Sequence, residues 1–228
     1  VSKVCNIQMV QVATDVITSE FTGRPSPVAD LHERTFSHFG VKEAVFPFNM
    51  FPEVDPVLGP EMRSTGEVLG LASTVGEAFL KAQEATQTAI PSEGTVLMSV
   101  SDRDKDEAAK VVQAFVDAGF AVVATKGTCE LLNEAGIKAE HINKLGEGRP
   151  NILDALANGE IAIVVNTPAS STESHEDDSY IRKSAIKNHV PYMTTLAAAY
   201  VTAMGVKESK ENEGSGVRSL QEIHAAIQ

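Results

Sequence analysis

Strand-like and helix-like segments alternate through the second half of the chain, and this alternation most constrains the fold. Short apolar segments typical of buried strands are separated by segments in which apolar residues recur at helical spacing. Several of the helical segments end at a glycine, which is a common helix stop signal. The pattern predicts an α/β fold in three layers, with a parallel sheet between helices. The predicted strands are Thr95–Val100, Ala121–Thr125, Ala139–Asn143, Ile161–Asn166 and Pro191–Thr195.

Residues 1–90 show a less regular pattern. An apolar stripe predicts a helix over residues 2–19, and residues 74–84 have the same helical spacing. Ala44–Phe48 is typical of a short strand, and Pro47 favours a place at a sheet edge. Small and polar residues follow up to Gly94, so we divide the chain into domains at 1–90 and 91–228.

Composition excludes several classes of function. With 228 residues, 43% of them hydrophobic, the chain can form a packed core. A net charge of -12 argues against binding nucleic acid, because phosphate backbones are bound by aligned cations. We expect no membrane segment, since no apolar run approaches the roughly 20 residues of a spanning helix. Cys5 and Cys129 are isolated and lack metal-ligand spacing, which favours the cytoplasm and predicts no metal site.

Polar residues gather where the predicted strands end. Ligands of open α/β sheets bind outside the carboxyl ends of the strands. Gly127 permits close approach of the backbone, and the helix that begins there favours an anion. For any single Ser or Thr, helix capping remains the alternative interpretation. Together the residues predict an anion-binding site formed by Ser99, Lys105, Thr125, Gly127, Thr128, Lys144, Asn166 and Thr167.

Two strings before the predicted sheet carry a family resemblance. Leu58–Val68 reads Leu-Gly-Pro-Glu-Met-Arg-Ser-Thr-Gly-Glu-Val, and Val41–Asn49 reads Val-Lys-Glu-Ala-Val-Phe-Pro-Phe-Asn. Both resemble the end of the second ATP-grasp half of the carbamoyl phosphate synthetase large subunit. The α/β segment resembles that subunit's regulatory domain, of the methylglyoxal synthase type. The resemblance implies strand order 3-2-1-4-5, with residues 1–90 as an α+β remnant of the ATP-grasp domain.

The same resemblance implies a function for the parent protein. That enzyme is a ligase, which makes carbamoyl phosphate from bicarbonate, ATP and glutamine-derived ammonia for pyrimidine and arginine synthesis. Its Glu-Val-Asn-Pro-Arg motif, which holds nucleotide-bound metal, lies upstream of the position of Val1. We therefore expect this chain to carry no catalytic residues, to need no cofactor, and not to turn over ATP, whereas the parent uses ATP with Mg or Mn. The implied partners are the rest of the large subunit, the glutaminase small subunit, and other copies joined through the regulatory domain.

Effectors are also implied by the resemblance. Regulatory domains of this family bind UMP or IMP at the carboxyl edge of the sheet, and the family motifs map onto the eight polar residues named above. Lys105 and Lys144 would then neutralise the phosphate, with the base near Asn166 and Thr167. The family's ornithine site lies where the regulatory and synthetase parts meet, and two of its contacts map to Glu43 and Thr194.

The sequence departs from the family pattern after Thr167. Pro168 stands where a second Thr is common, and proline offers neither a hydroxyl nor a backbone donor. Ala169–Asp178 is predicted to be a loop longer than in the family, and its acidic residues would repel a phosphate unless the loop turns outward. Arg182 and Lys183 either compensate or form a solvated helix face. These differences leave the identity of the effector open.

Two rival interpretations remain. The first is a freestanding lyase of the methylglyoxal synthase type, and the second is the cyclohydrolase domain of purine synthesis. Residues 41–68 discriminate, because neither rival should carry a synthetase segment there. A methylglyoxal synthase also has a catalytic Gly-Gly-Asp-Gln-Gln stretch near the positions of Glu147 and Asp154. Here the chain instead reads Gly-Glu-Gly-Arg-Pro-Asn over residues 146–151, which argues against triose-phosphate chemistry.

Overall fold

The computed structural model describes residues 1–45, 66–86, 89–168, 172–211 and 216–227. Two helices, α1 (Ser2–Cys5) and α2 (Met9–Thr22), occupy the segment for which the sequence predicts one. Asn6 separates them because its backbone is left-handed, with φ at 50°, and a right-handed helix cannot continue through it. No residue of α2 is buried, and its apolar side chains Val10, Ile17 and Phe21 are exposed.

Strands β1 (Phe39–Ala44) and β2 (Glu67–Ala72) form an antiparallel pair in which Val41 lies opposite Gly70. The predicted strand Ala44–Phe48 overlaps β1 only at Ala44, so the predicted start is wrong. Residues 46–65 lie outside the described residues, and with them most of the string Leu58–Val68. Helix α3 (Val75–Ala85) confirms the predicted helix, and the Thr74 hydroxyl caps it by accepting from the Glu77 amide.

Within the described ranges, the second half of the chain forms a five-stranded parallel sheet. Its order is β5-β4-β3-β6-β7, which confirms the predicted parallel sheet and the order 3-2-1-4-5. The strands are β3 (Thr95–Ser99), β4 (Ala121–Ala124), β5 (Glu140–His141), β6 (Ile163–Asn166) and β7 (Tyr192–Met193). The helices are α4 (Lys105–Asp117), α5 (Lys126–Glu134), α6 (Ile152–Ala157), α7 (Thr172–Lys187), α8 (Leu196–Glu211) and α9 (Leu220–Ala225).

The sheet has an apolar cluster on each face, because successive side chains of a strand point in opposite directions. Leu97 and Val164 belong to the cluster that includes residues of α6 and α7. Met98 and Val165 belong to the other cluster, which includes residues of α4, α5 and α8. Helices therefore cover both faces and leave the carboxyl edge of the strands as the place where polar groups collect.

Two helices are longer than the sequence predicts. Helix α7 begins at Thr172, whereas the sequence predicts a loop that extends to Asp178. The prediction of an acidic loop is therefore wrong, and Asp178 lies on a helix. The prediction failed because this polar stretch lacks the apolar spacing that identifies a helix. Helix α8 likewise continues to Glu211, through part of the polar loop predicted at 207–217. In the part of the chain that the structure describes, no helix is long and apolar enough to cross a membrane.

Helix α3 joins the N-terminal elements to the sheet. It packs against β1 and β2 on one side and against α8 on the other. The Thr74 hydroxyl, at the start of α3, donates to the Glu208 carboxylate of α8 at 2.6 Å. Residues on either side of position 90 thus share an interface, and the domain boundary placed there stays a prediction.

Candidate functional site

Strands β3 and β6 lie side by side at the centre of the sheet, and Ser99 is in register with Asn166. The Thr167 amide donates to the Ser99 carbonyl at 3.0 Å, which holds the two strand ends together. The chain leaves these strands toward opposite edges of the sheet, so this is the topological switch point at which open sheets bind ligands. The sequence prediction that Ser99, Asn166 and Thr167 meet at one edge is confirmed.

The start of helix α5 borders the same edge. Thr125 precedes the helix, yet its side chain does not cap it. The buried Thr128 hydroxyl instead accepts from the Val100 amide at 3.2 Å and from the Thr125 hydroxyl at 3.4 Å. Simple capping therefore does not explain these two threonines, because they tie α5 to the segment that follows β3. The amides of Gly127 and Thr128 lie in the first turn, where a helix has no internal acceptor for them.

Lys105 brings a positive charge to this helix start. Its Nζ would stand 3.5 Å from a Cβ placed on Gly127, so the ammonium group lies directly beside the first turn of α5. The same Nζ forms an ion pair with Asp102 Oδ1 at 2.6 Å, and the Asp102 side chain is 94% exposed. The carboxylate thus stands at the surface, where an ion pair with Lys105 holds it.

Lys144 acts on the same carboxylate. The pKa of Asp102 is lowered, chiefly by its hydrogen bond and charge interaction with Lys105 and to a smaller extent by the charge of Lys144. Lys144 is half-buried and directly precedes a short turn of helix at Leu145–Glu147. Two lysines, one at the start of α4 and one between β5 and α6, therefore act on one acidic partner.

A polar network stiffens the loop between β3 and α4. The Thr167 hydroxyl accepts from the Ser101 amide at 2.8 Å and donates to the Ser101 hydroxyl at 3.3 Å. The Ser101 hydroxyl also donates to Asp104 at 2.7 Å, and this is the main reason that the pKa of Asp104 is lowered. Thr167 thus fixes the loop that precedes Lys105, the first residue of α4.

Asn166 makes a second network toward α7 and β7. Its Nδ2 donates to Asp178 Oδ1 at 2.8 Å and to the Tyr192 hydroxyl at 2.9 Å. The Arg182 guanidinium lies 5.7 Å from the centre of the Tyr192 ring, so Arg182 faces the sheet rather than only solvent. The pKa of Tyr192 is raised, mainly because the side chain is buried.

The two residues mapped to the ornithine site lie on different elements. Glu43 is on β1, half-buried, and burial raises the pKa of its carboxyl group. Thr194 is exposed and follows β7 directly, and the next residue, Thr195, caps α8 by accepting from the Ala198 amide. Helix α3, which contacts both β1 and α8, connects the two elements.

The carboxylates near the rival catalytic stretch are occupied by structural contacts. Glu147 accepts from the Lys144 amide at 2.8 Å. Asp154 accepts from the Asn151 amide at 3.0 Å and pairs with Arg149, and the Arg149 hydrogen bond is the main reason that the pKa of Asp154 is lowered. Both acidic groups serve the turns around α6.

A cavity of about 590 Å³ lies elsewhere, between α5 and β5. None of the predicted site residues lines it. Cys129 lies in its wall, donating to the Ala139 carbonyl and accepting from Asn133, which is the behaviour of a packed thiol. Among the described residues, no cluster of His, Cys, Asp and Glu could hold a metal ion. The lining residues are Lys126, Cys129, Glu130, Asn133, Glu134 and His141.

Sequence reasoning missed Asp102, Ser101, Asp178 and Tyr192. Asp102 precedes Lys105 by one helical turn, and that spacing could have indicated the ion pair. Asp178 was hidden by the loop prediction for its segment. Tyr192 gave no signal of its own, because a tyrosine in a strand is typical of ordinary packing.

Comparison with known proteins places the chain in a class. Residues 107–194 match the MGS-like domain family, and this stretch runs from α4 through β7 to Thr194. Residues 107–194 therefore resemble an MGS-like domain. A solved structure of methylglyoxal synthase from Elizabethkingia anophelis is 20% identical, with a TM-score of 0.40, and covers 57% of this chain and 89% of that one.

Curated relatives cover the rest of the chain. It is 45% identical over 190 residues to the C-terminal section of the carbamoyl phosphate synthase large chain of Aquifex aeolicus, covering 82% of this chain and 35% of the relative. It is 42% identical over 230 residues to the carbamoyl phosphate synthase large chain of Acidobacterium capsulatum, covering 99% of this chain and 21% of the relative. The chain is homologous over nearly all its length to the C-terminal part of that large chain, and the resemblance deduced from the sequence is confirmed. It spans about a fifth of the full-length relative.

Proposed function

We propose that this chain is the allosteric part of a carbamoyl phosphate synthase large chain and that it binds a nucleoside monophosphate at the carboxyl edge of its sheet. The homology supports the assignment of this chain to a carbamoyl phosphate synthase large chain. The grouping of polar residues at the switch point supports the site. The residues proposed to bind the nucleotide are Ser99, Lys105, Thr125, Gly127, Thr128, Lys144, Asn166 and Thr167.

The position of Lys105 carries the proposal. Its ammonium group lies beside Gly127, at the start of a helix whose first amides lack internal acceptors. A phosphate placed there accepts from the Gly127 and Thr128 amides and gains charge-assisted bonds from the lysines. The resident carboxylate of Asp102 leaves when the phosphate arrives, because its side chain is exposed and its attachment is an ion pair.

A second effector of the ornithine type would bind at Glu43 and Thr194. A half-buried carboxylate with a raised pKa is stabilised in its charged form by a nearby cation, so Glu43 suits an amino group. The exposed hydroxyl of Thr194 suits a carboxylate. Helix α3 lies between the two elements and offers a mechanical connection to the nucleotide site through α8.

The activity and partners of the whole protein are part of this proposal. The complete large chain would make carbamoyl phosphate with ATP and Mg or Mn, together with a glutaminase subunit, and would associate through its regulatory domain. The exposed apolar side chains Val10, Ile17 and Phe21 on α2 fit a helix covered by the preceding part of the large chain. Two free cysteines fit a cytoplasmic location.

The lyase alternative has less support. A general acid or base works best with a pKa near the working pH, whereas the pKa of Asp154 is lowered by Arg149. No observation favours a reaction centre at this position over a structural turn.

Calorimetric titration of UMP and IMP into the chain tests the proposal. Lys144→Ala should weaken nucleotide binding by about tenfold or more, because it removes one charge-assisted contact. In the intact enzyme it should blunt nucleotide regulation and leave turnover without effector nearly unchanged, since no chemistry takes place at this edge.

Lys138→Ala is the matched control. Lys138 is exposed and precedes β5, so it lies toward the opposite edge of the sheet. The substitution Lys138→Ala removes the same charge as Lys144→Ala and should leave the affinity for the nucleotide unchanged. Equal affinity in Lys144→Ala and wild type would contradict the site, as would loss of basal turnover in a folded Lys144→Ala enzyme.

A further inference from the structure

Asn166 is almost completely buried, with 1% of its surface exposed, at the end of the central strand β6. Both hydrogens of its side-chain amide have acceptors, one on Asp178 and one on Tyr192. Its carbonyl oxygen Oδ1 is buried and has no hydrogen-bond donor in the described part of the chain. Only an acceptor is therefore left for another molecule.

Asp178 determines which way this amide points. The amide nitrogen Nδ2 donates to the carboxylate oxygen Oδ1 of Asp178, so the nitrogen, and not the oxygen, of the amide faces α7. The Tyr192 hydroxyl alone would not determine the orientation of the Asn166 amide, since a hydroxyl can donate or accept a hydrogen bond. Because the nitrogen and oxygen of an amide lie on opposite sides of its carbon, fixing Nδ2 toward α7 and β7 turns Oδ1 away from them.

Ser99 lies on the same face of the sheet. It pairs in register with Asn166, and adjacent parallel strands are about 4.8 Å apart. Side chains of in-register residues point to one face, here that of Leu97 and Val164. The Asn166 and Ser99 side chains thus lie together at the carboxyl edge, on the face covered by α6 and α7, and Lys105 and the start of α5 border the same edge from the other face.

We propose that Asp178 is a positioning residue, which orients Asn166 so that its carbonyl oxygen selects a ligand carrying an N–H or O–H donor beyond its phosphate. The proposal rests on the proposed nucleotide site and deepens it. A phosphate group held through its ionised oxygens leaves Oδ1 unsatisfied, because those oxygens are also acceptors. A buried acceptor without a partner is unfavourable, and a ligand that brings a donor removes that penalty.

The test measures the affinities of UMP and of inorganic phosphate by competition calorimetry. Both affinities are measured for the wild type and for the Asp178→Asn variant. An asparagine at 178 can donate as well as accept, so it no longer fixes the amide of Asn166. Asp178→Asn should weaken UMP binding about tenfold and leave inorganic phosphate within about twofold, so that the ratio of the two affinities falls. Asp177→Asn removes the same charge one residue away and should leave both unchanged.

A ligand-free measurement separates this inference from the proposed function. In the NMR spectrum of the wild type, the Asn166 side-chain amide protons should exchange slowly with water, and Tyr192→Phe or Asp178→Asn should speed that exchange. Slow exchange that neither substitution alters would overturn the positioning role even if UMP binds. An unchanged ratio of UMP to phosphate affinity in Asp178→Asn would do the same. Failure of the wild type to bind either compound would overturn the nucleotide site, and the selection by Asn166 with it.

Discussion

Gly76 of α3 and Gly205 of α8 meet backbone to backbone. A Cβ on Gly205 would stand 2.6 Å from the Gly76 carbonyl oxygen, and a Cβ on Gly76 would stand 2.8 Å from the Gly205 Cα atom. No ordinary side chain fits at either position without moving a helix. The N-terminal elements are therefore held against the MGS-like sheet at a distance that only glycine allows.

Gly205→Ala should destabilise the chain, because its methyl group meets backbone atoms that cannot rotate away. Overpacking of this kind costs about 1–3 kcal/mol. Urea denaturation measures the loss of unfolding free energy. Gly216→Ala is the control, since a Cβ there has nothing within 4 Å, and it should change stability by less than about 0.5 kcal/mol. Equal stability of the two variants would show that α3 and α8 do not meet as described.

Asp102→Asn should strengthen phosphate binding. The substitution frees Lys105 from its counter-ion and removes a negative charge that a phosphate must displace. The gain should be about two- to fivefold, since exposed ion pairs are weak, and it should shrink at high salt. Calorimetry at two salt concentrations measures it.

The control for Asp102 is Asp117→Asn. Asp117 ends α4, whose first residue is Lys105, so it lies about 18 Å along the helix from the proposed site. It should leave nucleotide affinity unchanged. Weaker binding in Asp102→Asn would indicate that Asp102 holds the loop in place rather than competing with the ligand.

Glu43→Gln should raise the melting temperature at pH 7. Because burial raises the pKa of Glu43, the folded chain holds its proton more tightly than the unfolded chain does. The resulting stabilisation is fully present below the unfolded value, about 4.3, and is lost as the pH rises through the folded value. Glutamine stays neutral and avoids this loss.

Thermal melts from pH 4 to pH 8, with and without ornithine, test both the raised pKa of Glu43 and its proposed contact with the amino group of ornithine. Wild type and Glu43→Gln should converge at the acidic end and separate above the folded pKa of Glu43. Ornithine should raise the melting temperature of the wild type only, if Glu43 receives its amino group. A constant difference between the two proteins at every pH would contradict the raised pKa.

Much of the fold could be predicted because the parallel sheet has a strong pattern. The predicted apolar strand Ile161–Asn166 and the glycines that end helices indicated the order of elements along the chain, and the family resemblance implied the strand order and with it the switch point. The strand at Phe39–Ala44 was missed because two-stranded pairs at the surface lack continuous apolar runs. The start of α7 was missed because Thr172–Asp178 is polar, and packing of its later turns rather than local pattern holds it in a helix.

The residues of the candidate site could be predicted from the sequence, but the hydrogen bonds and ion pairs that connect them could not. Position after a strand located Ser99, Asn166 and Thr167, since strand ends share an edge. The partner of Asn166 on α7 is 12 residues away in sequence, and no local rule connects an asparagine to an aspartate at that separation. The ion pair between Asp102 and Lys105 was missed despite their spacing of one helical turn, because an acidic residue near a phosphate site is not expected to favour binding.

Amide chemical shifts during a titration with UMP test the central proposal most directly. The account predicts that the backbone amides of Gly127 and Thr128 shift most, together with the side-chain amide of Asn166, and that the changes saturate. Glu130 and His141, which line the separate cavity, should stay unchanged. Absence of any saturable shift, or shifts confined to that cavity, would contradict a nucleotide site at the carboxyl edge of the sheet.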